Sequence, residues 1–357
     1  MKPVVKNILK ALVLVAVLAV IGFCNRSGTG DIIGTKPVVK IDGPVFGTFY
    51  GITVVGDYPG GELELRQDAE AVLQRINHEI STFDKTSEIS RFNDSKSTEP
   101  FPVSDDTAVM VIESFRAGRE LYGVLDITVG PLVDLWGFGH VKKESGYIPS
   151  RDEIDRTRTV VGLDKLHLDY GFRGSFLRKD HPDMRVDLAT VGEGFAADSL
   201  AKMLDDAGIR NYMVHVAGAM RTRGFNAKGA PWSIAIEQPA DIIGAVGDIV
   251  DTRNRAISTA GTYRNYFEKD GKRYSHAIDP RTGSPIEHNT VSVTVIGDSA
   301  TFTDAMDTGL LVLGADEALK YANEHNLAIY CIVKEPGGFR ARWSRAFRDY
   351  LIRKQGK

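Results

Sequence analysis

Strand-like and helix-like segments alternate from Val45 to the end of the chain, with no repeat, low-complexity tract or Pro/Ser-rich linker between them. The segment 46–55 is rich in β-branched and aromatic residues, as strands are. The segment 62–80 carries apolar residues at helical spacing instead. Further along, Asp270-Gly271 separates two short strand-like runs and predicts a tight hairpin. This alternation predicts one integrated domain of the mixed α/β class rather than two separate units.

The composition supports a globular protein and excludes several classes. Of the 357 residues, 43% are hydrophobic and 25% are charged, which allows a sizeable core and rules out wholesale disorder. The formal net charge of −3 argues against a general binder of nucleic acid, which needs a basic surface. The two cysteines, Cys24 and Cys331, exclude a disulfide scaffold. Cys331 lies in an apolar stretch and is predicted to be a buried core thiol.

The N-terminus has the pattern of a membrane-targeting segment. Three lysines precede the uncharged run 11–23, which is too short to span a bilayer comfortably and is typical of a signal peptide. Cys24 follows at once, as in a bacterial lipoprotein signal whose cysteine is lipidated, but the bulky Phe23 leaves an uncleaved signal anchor as the alternative. We predict a folded domain on the periplasmic side of a bacterial inner membrane, with the following division: signal or anchor 1–23, tether 24–42, catalytic domain 43–357.

Three oxygen-bearing side chains share one face of a predicted helix over 300–313. Asp304, Asp307 and Thr308 are spaced i, i+3 and i+4, so their oxygens converge. Carboxylate and hydroxyl oxygens are hard ligands suited to Mg²⁺. The alternative is that the two acids belong to the first helical turn and only complement the helix dipole.

Two further segments are candidate functional elements. Asp187 is predicted to end an apolar strand, and the loop 188–192 would lead into a helix over 194–207, which presents free N–H groups to a phosphorylated ligand. An ordinary strand-to-helix turn is the alternative. His276 lies near the end of the predicted hairpin and is either a general base or a structural residue. With no Ser or Cys motif beside it, a hydrolase triad has little support.

The ordered motifs resemble those of ApbE-type FAD:protein FMN transferases, from about Gly43 to Val333. The strings that carry the resemblance are STFDKTSEISRFND, DITVGPLVDLWGFG, DLATVGEGFAAD, ISTAGTYRNYF, YSHAIDPRTGSPIEH and TDAMDTGLLVLG. The resemblance implies a single two-lobed domain with a flavin nucleotide in the cleft. It also implies Mg²⁺-dependent transfer of FMN from FAD to a Ser or Thr hydroxyl of an acceptor flavoprotein, with release of AMP. Mn²⁺ could replace Mg²⁺, and the implied acceptors are subunits of membrane redox complexes.

Matching the family's motifs residue by residue assigns roles within the site. His276 would be the catalytic base. The implied metal ligands are Asp304, Asp307, Thr308 and Thr190, the last through its backbone oxygen. The implied flavin-nucleotide contacts are Phe46, Phe83, Val124, Leu125, Asp126, Asp187, Glu193 and Ile278.

Two other functions are compatible with the same residues. Water could replace the acceptor hydroxyl, which would make the protein an FAD pyrophosphatase that yields FMN and AMP. A membrane-tethered protein that only binds FAD is the second alternative, although pure binding would need neither a metal nor a base.

Overall fold

The computed structural model describes residues 36–139, 143–144, 146–238, 246–263 and 265–352. The helices are α1 (Gly61–Ile80), α2 (Glu88–Asp94), α3 (Asp105–Glu120), α4 (Gly130–Leu135), α5 (Arg151–Arg158), α6 (Ala189–Asp206), α7 (Ala300–Leu313) and α8 (Ala315–Glu324), with short 3₁₀ turns at Leu163–Lys165 and Ala346–Tyr350. The strands are β1 (Val38–Val45), β2 (Thr48–Val55), β3 (Phe101–Val103), β4 (Leu166–Gly171), β5 (Gly174–Lys179), β6 (Tyr212–Val216), β7 (Ala219–Arg223), β8 (Ser233–Glu237), β9 (Val246–Asp251), β10 (Ala256–Gly261), β11 (Tyr266–Lys269), β12 (Lys272–Ser275), β13 (Ile278–Asp279), β14 (Ser284–Pro285), β15 (Thr290–Gly297), β16 (Ala328–Glu335) and β17 (Gly338–Trp343).

A large antiparallel sheet forms the frame of the molecule. Its eight strands lie in the order β1-β2-β6-β7-β10-β15-β16-β17. A smaller antiparallel sheet, β3-β5-β4, and three two-stranded ribbons complete the β structure of the described residues. The predicted mixed α/β class is therefore confirmed. The predicted hairpin is confirmed too, because β11 and β12 pair across Asp270-Gly271, where both residues have the positive φ that such a turn requires.

Helix α7 is the most buried of the described helices. It packs against α6 and α3 on one side and against β10 and β15 of the large sheet on the other. Its sequence fits this position, since eleven of its fourteen residues are buried, from Ala300 to Val312. A helix that is apolar nearly all round belongs in a core. The polar side chains of Asp304 and Asp307 are therefore carried into the interior, while Thr308 stays half-buried.

Two glycines allow neighbouring elements to approach α7 and α6 closely. A Cβ at Gly194 would lie 2.2 Å from the carbonyl oxygen of Ala300, so α6 and α7 touch backbone to backbone there. A Cβ at Gly309 would lie 2.4 Å from Cδ1 of Leu121. The Gly194 contact excludes any larger residue without a shift of the backbone, whereas at Gly309 the Leu121 side chain would have to move.

The structure corrects three expectations drawn from the sequence. Strand β1 begins at Val38, so residues 38–42 belong to the sheet and not to the tether. Helix α6 begins at Ala189, so the expected loop 188–192 is almost entirely helical. The residues before it, up to Asp187, form no strand.

The predictions for the N-terminus lie outside the described residues. The signal or anchor at 1–23, the lipidation of Cys24 and the tether up to residue 35 all fall before residue 36. None of the helices that the structure describes combines the length and apolar character needed to cross a bilayer. Cys331 is described, and its prediction is confirmed: it is fully buried in β16, and burial raises the pKa of its thiol to about 12.

Candidate functional site

Two buried carboxyl groups of α7 form the centre of the candidate site. Asp304 and Asp307 expose 6% and 1% of their surface. Asp304 Oδ2 accepts a hydrogen bond from the backbone N–H of Gly194 at 2.8 Å, and Oδ1 accepts one from the hydroxyl of Ser258 at 3.3 Å. Asp307 Oδ1 accepts one from the hydroxyl of Thr308 at 3.2 Å. Asp304 is the fifth residue of α7, so the alternative of first-turn acids that complement the dipole does not apply.

Electrostatics in this cluster strongly favour the neutral acids when no cation is present. Burial, followed by repulsion from Asp307 and Glu193, raises the pKa of Asp304 well above its usual range. Burial and the Glu193 charge do the same to the pKa of Asp307. The pKa of Glu193 is raised to about 7 by burial, although its Oε2 accepts a 3.4 Å hydrogen bond from the N–H of Gly218. Buried acids without a counter-charge are costly, so the cluster is suited to a bound cation.

The oxygens that lack partners support the same conclusion. Asp307 Oδ2 and Thr190 Oγ1 are buried and have no hydrogen-bond partner among the described residues. In that part of the chain, no three His, Cys, Asp or Glu side chains are placed to hold a metal ion by themselves. The set predicted from the sequence contains only two such side chains and relies on threonine oxygens for the rest. Its oxygen donors and its uncompensated negative charge fit Mg²⁺, which commonly keeps a partial protein shell.

The start of α6 brings the second predicted segment to the same place. Thr190 lies one helical turn before Gly194 and so on the same face of α6, which packs against α7. Asp187 lies just before the helix, and its Oδ1 accepts a 2.9 Å hydrogen bond from the N–H of Ala189. The N–H of Asp187 donates to the carbonyl of Ile127 at 2.7 Å, which ties this turn to the segment 124–127.

The segment 124–126 lies against α7 but turns its side chains inward. Val124 and Leu125 are each 2% exposed, and Leu125 packs beside Gly309, the residue after Thr308. Asp126 accepts hydrogen bonds from the N–H and hydroxyl of Thr128 at 2.7 and 2.6 Å, while burial raises the pKa of its carboxyl. A ligand contact from this segment would therefore come mainly from its backbone.

The remaining predicted contact residues differ in exposure. Phe46 is half-buried at the tip of the β1–β2 hairpin, where its φ of 49° is unusual for a residue with a side chain. Phe83, in the loop after α1, is 82% exposed and so presents an aromatic surface to solvent. Ile278 is 5% exposed and packs in a small core with Trp136 and Ile154.

His276 is held in one defined tautomer. Its Nδ1 lies 3.1 Å from the carbonyl oxygen of Asn265, which can only accept, so Nδ1 carries the proton and Nε2 keeps a lone pair. Its ring also meets Phe138 edge-on at 6.5 Å between centroids. Burial lowers the pKa of the imidazole, so the side chain is neutral at pH 7. A neutral imidazole with a free Nε2 can accept a proton.

Strand β10 links the surroundings of His276 to those of the acid cluster. The β11–β12 hairpin is tied to the end of β10 by the hydrogen bond from Arg273 Nη2 to the carbonyl of Thr262, at 2.9 Å. Ser258, four residues earlier, contacts Asp304, and four residues of strand span roughly 13 Å at about 3.3 Å per residue. Within the described residues no hydrogen bond joins His276 to the acids. An elongated ligand lying along β10 would reach both.

Sequence reasoning missed the groups that orient the predicted residues. Ser258 and the N–H of Gly194 hold Asp304, and the carbonyl of Asn265 holds His276. Ser258 lies on the strand that carries the ISTAG motif, but no local pattern in the sequence singles it out. The two backbone contacts carry no signal in the sequence, because any residue type supplies the same groups.

Comparisons with known proteins agree with one another. The family model described as "ApbE family" matches residues 46–332. A curated FAD:protein FMN transferase of Escherichia coli (strain K12) is 43% identical over 339 residues, which are 95% of this chain and 96% of that protein. A protein of the same name from Salmonella typhimurium is 45% identical over 312 residues, covering 87% and 89%.

Solved structures are similar across the same length. The flavin transferase ApbE from Vibrio cholerae is 39% identical, has a TM-score of 0.80, and covers 88% of this chain and 99% of that chain. The Pseudomonas stutzeri flavinyl transferase ApbE in its apo form is 32% identical, with a TM-score of 0.79 and coverage of 89% and 98%.

Proposed function

This chain belongs to the ApbE family, and from that membership we infer that it is an FAD:protein FMN transferase, which flavinylates acceptor proteins. The structural observation that carries the mechanism is the buried pair Asp304 and Asp307, which share a helix face and have no basic partner among the described residues. A protein that only bound FAD would not need two buried acids without a basic partner, because burying such groups lowers the stability of the fold.

The reaction we propose exchanges one phosphorus–oxygen bond for another. An acceptor Ser or Thr oxygen attacks the phosphorus of the FMN half of FAD, the bond to the bridging diphosphate oxygen breaks, and AMP leaves with that oxygen. His276 Nε2 takes the proton of the acceptor hydroxyl, a role that its fixed tautomer and neutral state permit.

Charge on the diphosphate must be neutralised for this exchange. Asp304, Asp307, Thr308 and Thr190 would hold the Mg²⁺ ion, with Mn²⁺ as a substitute because it takes the same oxygen ligands. When bound, the ion would neutralise negative charge on the diphosphate oxygens. The donors from Gly194 and Ser258 would keep Asp304 oriented.

The flavin nucleotide would lie between the start of α6 and the hairpin tips. Phe83 offers an exposed ring for stacking, and Phe46 an apolar contact. Asp187, Glu193, Ile278 and the backbone of 124–126 complete the proposed contact set. The Glu193 carboxyl also interacts with the acid pair, since its negative charge helps to raise the pKa of Asp304.

A labelling experiment tests the function and separates it from both alternatives. The protein is incubated with FAD, Mg²⁺ and a soluble acceptor domain from a subunit of a membrane redox complex. We expect flavin fluorescence to remain on the acceptor after denaturing electrophoresis, with AMP released in equal amount. FMN and AMP without labelling would show a pyrophosphatase, and unchanged FAD would show a binding protein.

We also propose that the protein is anchored at the periplasmic face of the inner membrane through a lipid on Cys24. Replacing Cys24 with serine should then move the protein from the membrane to the soluble fraction, because the thiol is the attachment point. Fractionation and immunoblotting measure this, with Ser27→Ala as a matched control that stays in the membrane. A Cys24→Ser protein that remains membrane-bound with its N-terminus uncleaved would instead show a signal anchor.

A further inference from the structure

A carboxylate of α6 holds the start of α7. Asp198 accepts four hydrogen bonds from three consecutive residues of the other helix. Its Oδ2 accepts from the hydroxyl of Ser299 at 2.8 Å and from the N–H and hydroxyl of Thr301 at 2.9 and 2.8 Å, while Oδ1 accepts from the N–H of Ala300 at 3.0 Å. The first N–H groups of a helix have no partner within it, and here a different helix supplies one.

The surroundings of Asp198 favour the negatively charged form of its carboxyl group. Arg221 Nε lies 3.4 Å from Asp198 Oδ1 and supplies a counter-charge. The negative charge also meets the positive end of the α7 dipole. Ser299, the N-cap, accepts from the N–H of Phe302 at 3.2 Å while it donates to Asp198, so the local cap and the clamp from α6 are joined.

Asp198 also shares a helix face with the other contacts between α6 and α7. It lies one turn after Gly194, whose backbone touches Ala300 and donates to Asp304. The register of α7 along α6 is therefore fixed at two successive turns. Fixing that register sets where Asp304 and Asp307 stand relative to Thr190, because the threonine is on α6 and the acids are on α7.

We propose that Asp198 is a positioning residue that brings the two halves of the metal-binding set together. The proposal rests on the Mg²⁺-dependent transferase function above. Without the clamp, α7 would keep its own cap, the hydrogen bonds from Gly194 and Ser258 to Asp304 and its apolar packing, but its first turn would no longer be hydrogen-bonded to α6. Shifts of a few tenths of an ångström matter for Mg²⁺, which demands near-ideal octahedral geometry.

The test measures metal affinity directly as well as activity. Asp198→Asn keeps the shape of the side chain but removes the charge and turns one acceptor into a donor that faces N–H groups. We expect Mn²⁺ affinity, measured by calorimetry or electron paramagnetic resonance, to fall by about 10–100-fold, as for other groups that orient metal ligands. FMN transfer should fall at limiting Mg²⁺ and recover at saturating Mg²⁺, with the KM for FAD little changed.

The controls separate positioning from general stability. Asp206→Asn, on the same helix but paired with Lys202 at the surface, should bind Mn²⁺ as the wild type does. Thr301→Ala removes one of the four hydrogen bonds and should give a smaller loss of affinity in the same direction. If Asp198→Asn does not fold, the Mn²⁺ affinity of Thr301→Ala tests the proposal in its place.

Two results would overturn the inference. One is a folded Asp198→Asn protein with a lower melting temperature but wild-type Mn²⁺ affinity, which indicates a structural role alone. The other is unchanged affinity in Thr301→Ala when Asp198→Asn fails to fold. A wild-type protein that neither binds Mn²⁺ nor transfers FMN would overturn the proposed function itself, and the inference with it.

Discussion

Replacing Asp307 with asparagine should lower FMN transfer by roughly 10²–10⁴-fold at ordinary Mg²⁺ concentrations. A metal ion at this site would supply several kcal/mol of charge stabilisation, and each 1.4 kcal/mol is a factor of about ten in rate. The substitution acts mainly on Oδ2, which is buried and has no hydrogen-bond partner among the described residues. Asparagine keeps the acceptor for Thr308 but places an NH₂ group where a ligand oxygen should be. High Mg²⁺ should restore part of the rate, and Mn²⁺ affinity should fall in parallel.

The fold should survive this substitution. It removes a buried group whose charged form is disfavoured, so the metal-free Asp307→Asn protein should melt no lower than the wild type. Asp316→Asn, on α8 and 85% exposed, serves as the matched control and should transfer FMN normally. If thorough chelation leaves wild-type transfer unchanged, or if Asp307→Asn is fully active without added metal, the metal assignment is wrong.

Replacing His276 with alanine should lower transfer by roughly 10²–10⁴-fold, the usual contribution of a general acid–base group. FAD binding, followed by the change in flavin fluorescence, should stay within a few-fold. His167→Ala, an exposed histidine paired with Asp180 on the small sheet, is the control. A His276→Ala protein that transfers FMN at the wild-type rate would make this histidine structural.

The pH dependence of FMN transfer is a second test of His276 as the base. Burial lowers the pKa of His276 below its usual value of 6.5, so the neutral base is present throughout the range above that. At saturating Mg²⁺, which favours the ionised forms of Asp304 and Asp307, the loss of transfer due to His276 should therefore begin only below pH 6.5, as the pH drops through the lowered pKa. The activity that remains in His276→Ala should lack this acid limb.

Local signals in the sequence were sufficient for α7 but not for its environment. The periodicity and Gly314 predicted its bounds, and the spacing of Asp304, Asp307 and Thr308 predicted that they share a face. Whether those acids sit in a first turn or in the core depends on α6 and the large sheet, which are distant in sequence. Burial of this kind is decided by tertiary packing.

The errors at α6 and β1 have the same origin. Gly192 and Gly194 resemble loop residues, yet both are helical. They are glycines because the Ile80 side chain and the Ala300 backbone lie where a Cβ would be. Residues 38–42 were assigned to the tether because an edge strand needs little pattern of its own. Pairing with β2, from Val38 opposite Val55 onward, makes them a strand.

The start of β1 at Val38 also limits where the enzyme can work. Val38 is the fourteenth residue after Cys24, and a fully extended chain covers at most about 3.3–3.6 Å per residue. Under the proposed lipid anchor, the first strand of the large sheet can stand no more than roughly 50 Å from the bilayer surface. Acceptor hydroxyls that stand farther out than this distance plus the size of the domain are beyond reach, whereas those close to the membrane meet the enzyme at a high effective concentration. The length of the tether would therefore select acceptor proteins by the height of their hydroxyl above the membrane, before the enzyme and the acceptor make contact.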